Sequence, residues 1–201
     1  MKKKGIDLNC DTGESFGPYK LGLDEEVIKL ISSANVGCGF HGGDPHVMRN
    51  TVALAKRYGV GVGAHPGLPD LPGFGRREMK VTPEEVKDYF IYQIGSLKAF
   101  VEVAGMKLQH VKMHGALDAM ARADDGLTRA MCEATREISP ELIWLAHSGI
   151  RTGEIARSIG LKVVQEAYAD RAYNADKTLV SRKLPGDGLC GQNPGVQKTP
   201  R

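Results

Sequence analysis

Side chains able to move protons or hold ligands recur in this 201-residue chain just after short apolar segments. In order they are Asp11 and Glu14, His41 and Asp44, His65, Lys112 and His114, His147, and last Glu166, Asp170 and Arg171. Four of the six histidines fall in this set, which weighs against each being an isolated structural residue. Titratable groups gathered this way suit general acid–base chemistry in a cleft. Asp7 and Asn9 precede Asp11 in the same two-residue phase and extend the polar row as substrate contacts. Residues 65–77 form a proline- and glycine-dense loop ending in Arg76 and Arg77, whose guanidinium forks can grip a carboxylate or phosphate.

Something must carry these groups to one place, and the hydrophobic period indicates what. Strand-like segments at 6–11, 34–40, 60–64, 108–114, 142–146 and 162–168 alternate with helical patterns. Asp44-Pro45 reads as an N-cap and first-turn proline, and Thr82-Pro83-Glu84-Glu85 has capping-box spacing. Shorter helices are expected after Asp24, Asp124 and Thr152. Alternating βα units imply parallel strands with right-handed crossovers. Within the first strand Ile6, Leu8 and Cys10 oppose Asp7, Asn9 and Asp11; within the fourth, Val111 and Met113 oppose His110, Lys112 and His114. An open sheet covered by helices would be apolar on both faces, so one polar face points to a barrel with a polar lumen. Its reacting groups are then expected at the carboxyl ends of the strands. Gly61 and Gly63 share a face with His65, and Gly37 and Gly39 with His41, leaving lumen space for a substrate.

Composition narrows the field. Net charge is +3, with 27 basic and 24 acidic residues interspersed, so no stripe follows nucleic-acid phosphates. No apolar run is long enough for a bilayer, and the start of the chain has no signal-peptide h-region. The four cysteines lack paired spacing and read as reduced thiols, which places the chain in the cytoplasm. There is no GxGxxG after the first strand and no GxxxxGK[ST], so a nucleotide-binding open sheet loses support.

The motifs Asp7-Leu8-Asn9-Cys10-Asp11-x-Gly13-Glu14, Ala34-Asn35-x-x-Cys38-Gly39-Phe40-His41-x-Gly43-Asp44 and Gly63-Ala64-His65-Pro66-Gly67-x-Pro69-Asp70 resemble the LamB/YcsF family. So do Gly73-Phe74-Gly75-Arg76-Arg77, Tyr92-Gln93-Ile94-Gly95, His110-Val111-Lys112-x-His114-Gly115-Ala116-Leu117 and Ala169-Asp170-Arg171-x-Tyr173. The resemblance implies an α/β fold, an incomplete TIM-like (β/α) barrel similar to that of sugar deacetylases, over residues 1–184. It implies opening of the lactam 5-oxo-L-proline to L-glutamate with hydrolysis of ATP, together with two partner subunits, B and C. ATP is then a co-substrate accompanied by Mg2+, with its binding place open because the chain has no phosphate loop. For that reaction Asp11, His41, His65 and His114 are candidate bases. Lys112 and Arg171 are candidates to stabilise developing charge, and Arg76 or Arg77 to hold the substrate carboxylate. Asp7, Asn9, Glu14, Asp44, Glu166 and Asp170 complete the expected binding set. Met113 and Asp118 depart from the family's usual proline and aromatic residue. Residues 185–201 carry no apolar periodicity and are expected to be a disordered, non-family tail, as from a truncated or frame-shifted gene. Two rivals stand beside this reading: a metal-dependent deacetylase holding zinc on Asp11, His65 and His114, and a lactam-binding subunit without chemistry of its own.

Overall fold

The structure, a computed structural model, describes residues 5–147, 151–174 and 179–180. Six strands form one parallel sheet in sequence order: β1 (Asn9–Thr12), β2 (Ser33–Gly37), β3 (Gly61–His65), β4 (Leu108–Lys112), β5 (Ile143–His147) and β6 (Lys162–Glu166). The helices between them are α1 (Asp24–Val27), α2 (Pro45–Tyr58), α3 (Pro83–Val103), α4 (Gly115–Ala123), α5 (Asp125–Ile138) and α6 (Thr152–Ile159). The sheet curls into a half-barrel. Its curvature is visible in one bond: Asn9 Nδ2 on β1 donates to Glu166 Oε2 on β6 at 3.3 Å, across four intervening strands.

Local chemistry sets the helix ends as the sequence implies. Asp44 accepts from the Val47 amide at 2.8 Å, Pro45 fills the first turn, and Gly59 closes α2 in the left-handed region at φ 68°. Thr82 and Glu85 make the reciprocal capping box that starts α3. The buried stripe of α3, including Phe90, Ile94, Leu97 and Val101, packs on the outside of the sheet, where Phe90 stacks against Trp144 of β5 at 6.2 Å.

Two expectations are corrected. Regular pairing of β1 begins at Asn9, and Ile6 and Leu8 are 98% and 54% exposed rather than covered. The helix that follows, α1, is a single turn with no buried residue, too short to cover them. The second correction is α4, which the periodicity did not give: it begins on Gly115 without a side-chain cap, so no start signal marks it. The proposed tail, residues 185–201, lies outside the described residues, as does Cys190; Cys10, Cys38 and Cys132 are free thiols. No described helix is long and apolar enough to cross a membrane.

Candidate active site

Parallel pairing brings the polar phase of each strand to the inside of the curl. Asn35 of β2 is the lower hub. Its Nδ2 donates to Asn9 Oδ1 at 2.7 Å and Asp11 Oδ1 at 2.9 Å, and its Oδ1 lies 2.7 Å from His110 Nε2. Above it Lys112 Nζ lies 3.0 Å from Asp11 Oδ1 and 3.5 Å from Glu166 Oε2, under the Tyr168 ring. Lys112 is buried, which favours its neutral form, but the Asp11 and Glu166 carboxylates outweigh that and raise its pKa.

The upper layer is a cluster of imidazoles at the carboxyl ends. His65 lies 3.4 Å from Asp11 Oδ2 through Nε2 and bonds the Lys112 carbonyl through Nδ1 at 2.8 Å. The same Nε2 is 3.0 Å from His114 Nδ1, and His114 Nε2 bonds the Phe74 carbonyl at 2.8 Å. Glu14, from the loop after β1, puts Oε1 2.9 Å from His41 Nε2 and 3.5 Å from His114 Nδ1. Burial works against charge on all of these groups, and neighbours decide which keep it. His65 is raised because Asp11, aided by Glu14, offsets its burial. Asp11 is held well below the carboxylate range because His65 and Lys112 overcome desolvation. Burial pushes Glu14 up to about 7, with Asp11 adding to it, and drives His41 and His114 far down, to their neutral forms.

A cavity of about 540 Å3 opens over this floor. Asp11, His65, Lys112 and His114 line its base, and Arg76, Asp118, Arg122, Tyr168 and Arg171 its walls. The sequence placed the first four, with Arg76 and Arg171, in the site. Asn9 and Glu166 support Lys112 from below. His41 lies behind His114, stacked on it at 3.6 Å, and faces a second, apolar pocket of about 330 Å3 beside Phe16, Tyr19, Leu71 and Phe74.

Seven of the nine expected substrate contacts do not line the cavity: besides Asn9 and Glu166 beneath it and Glu14 beside the second pocket, they are Asp7, Asp44, Arg77 and Asp170. Asp7 is exposed at the amino end of the sheet and accepts from the Ser32 and Ser33 hydroxyls. Asp44 is committed to its helix cap and to the Gly17 amide. Arg77 is clamped by Asp70 within its own loop, and Asp170 is exposed outside the cavity lining. At one lumen glycine the space is filled from within: a Cβ on Gly63 would stand 2.1 Å from the His110 ring, so the room it leaves is taken by the protein's own histidine. Asp118, noted in the sequence only as a departure from the family pattern, and Arg122 were not read as site residues. Their i,i+4 spacing, which lets them pair at 3.2 Å, carries meaning only once α4 is known.

Comparison with known proteins agrees with this geometry. The LamB/YcsF family profile matches residues 6–199. The chain is 56% identical to the 5-oxoprolinase A-type subunit of Clostridium beijerinckii over 96% of its own length and 76% of that protein. It is 60% identical to the Pyrococcus furiosus protein of the same name, over 90% and 71% respectively. The crystal structure of the lactam utilization protein from Thermus thermophilus superposes with a TM-score of 0.88 at 48% identity, covering 92% of this chain and 75% of that one.

Proposed function

Because this chain belongs to the LamB/YcsF family, we propose that it performs the hydrolytic step in opening 5-oxo-L-proline to L-glutamate, with partner subunits of the B and C type supplying ATP-dependent activation. The observation that carries the reading is the Lys112–Asp11–His65 array on the floor of a cavity whose walls include Arg76 and Arg171. A lactam carbonyl is a poor electrophile for water, so the site must both stabilise the oxyanion and direct the water.

Lys112 is a buried cation on the cavity floor, and it stabilises negative charge developing on the lactam oxygen. Asp11, whose side chain is 37% exposed, orients the attacking water and accepts its proton. In the resting state Asp11 is a weak base, held ionised by Lys112 and His65. As charge builds on the substrate oxygen, Lys112 is drawn to it, and Asp11 becomes basic enough to take the proton. The new C–O bond forms, the ring C–N bond breaks, and that proton passes from Asp11 to the leaving nitrogen. His65 aligns Asp11 throughout. Arg76 is the wall cation assigned to the substrate carboxylate.

The test is glutamate release from 5-oxo-L-proline by this chain with ATP and its two partners. His65→Ala is expected to lower turnover by about 100-fold or more with folding intact, the scale on which lost alignment acts. A near-normal rate would place the reacting groups elsewhere. Lost turnover with intact lactam binding would set aside the reading of a purely binding subunit.

A further inference from the structure

We propose that His65 Nε2, His114 Nδ1 and Glu14 Oε1 form a binding site for one divalent transition-metal ion of the zinc class. The outer nitrogen of each imidazole is fixed: Nδ1 of His65 donates to the Lys112 carbonyl and Nε2 of His114 to the Phe74 carbonyl, both at 2.8 Å. A carbonyl oxygen only accepts, so both outer nitrogens carry hydrogen. The inner nitrogens therefore face each other across 3.0 Å, an arrangement that requires a cation, a proton or a metal ion, between them. Histidines that ligate metals ordinarily anchor their remote nitrogen on a carbonyl or carboxylate in this way.

Charge and distance favour a metal ion as that cation. Glu14 Oε1 lies 3.5 Å from His114 Nδ1 and 4.0 Å from His65 Nε2, and the Asp11 carboxylate is 3.4 Å from the latter. Zinc bound tetrahedrally at about 2.0–2.1 Å has ligand atoms about 3.3 Å apart, so the contacts of His114 to both partners need change by only a few tenths of an ångström, and Glu14 must close on His65 by about 0.7 Å. The two rings meet at 87°, which lets both in-plane lone pairs aim at one point. His41 is excluded as a ligand beside His114, because its plane runs parallel to that ring at 3.6 Å. It holds Glu14 instead, through the 2.9 Å contact. The rings cannot swing away freely: a Cβ on Gly75 would already meet His41 and His114 at 2.7 and 2.9 Å. Two imidazoles and a carboxylate select zinc and its neighbours over Mg2+ or Ca2+, which take oxygen ligands.

The experiment uses the untagged, metal-stripped full chain without substrate or partners. Zn2+ is titrated by calorimetry, bound metal is measured after dialysis, and Co2+ is added as a spectroscopic probe. The expected result is one ion per chain and an intense visible Co2+ spectrum of a low-coordinate nitrogen–oxygen site. His114→Ala and Glu14→Gln, checked for folding by circular dichroism, should each weaken binding by about 100-fold or more, and His41→Ala by about 10–100-fold. Absence of stoichiometric binding by the wild type overturns the site, as does binding unchanged in both ligand variants. Should a variant fail to fold, the wild-type Co2+ spectrum decides, and the faint spectrum of hydrated Co2+ counts against the site. Turnover is not the readout, so failure here leaves the ring-opening reading intact.

Discussion

Lys112 is the side chain on which most of the lower site depends. It keeps two carboxylates, Asp11 and Glu166, close together inside the half-barrel. Removing one partner of a buried ionic group costs about 3–5 kcal/mol, because the charges left behind lose their compensation. Lys112→Met is therefore expected to lower unfolding stability by about that amount in urea titrations, as well as abolishing activity. A small change would mean that water, rather than the lysine, solvates these carboxylates. Strand phase made Asn9, Asp11, Lys112 and His114 legible, since a two-residue period fixes which side chains share a face. It could not distinguish Arg76 from Arg77: both end the same loop, and only the fold of that loop brings Asp70 onto Arg77. Glu14 was identifiable by type, yet its partners His41, His65 and His114 lie 27 to 100 positions away.

Between β3 and β4, packing constrains chemistry most tightly. His110 fits the lumen because residue 63 has no side chain, and any Cβ there would overlap the ring. Gly63→Ala should cost about 1–3 kcal/mol through overpacking, measured as a lowered Tm or urea midpoint. Wild-type stability in that variant would show that the strands can shift apart. His110 also gives the fold a pH dependence. Burial lowers its pKa from 6.5 to about 4, so between those values the unfolded chain binds a proton that the folded chain does not. Its contribution is intact above 6.5 and is lost as pH falls toward 4, by about 3 kcal/mol in total. His110→Gln should make the stability profile shallower across that window by one histidine's share, and an unchanged slope would contradict a buried neutral histidine. Helix boundaries at Asp44 and Thr82 were readable because caps are local. α4 was not, because tertiary packing rather than a cap starts it.

At the scale of the whole molecule, a sheet of six parallel strands in sequence order curls until its first and last members share a hydrogen bond through Asn9 and Glu166. That curl turns a polar stripe on each strand into one enclosed site and leaves the apolar stripes to the surrounding helices. The order and parallel pairing of the βα units were legible in the sequence. The lumen's occupancy by the protein's own side chains was not, since it depends on register between strands. The central claim is that this lumen, through Asp11, does the chemistry on the lactam. The most direct test is the rate of glutamate release by Asp11→Asn at saturating 5-oxo-L-proline, in the complex with its partners and ATP. The account predicts a loss of about 100-fold or more relative to wild type, with Tm little changed, as for removal of a general base. A rate close to wild type would contradict it and move the reaction to another part of the assembly.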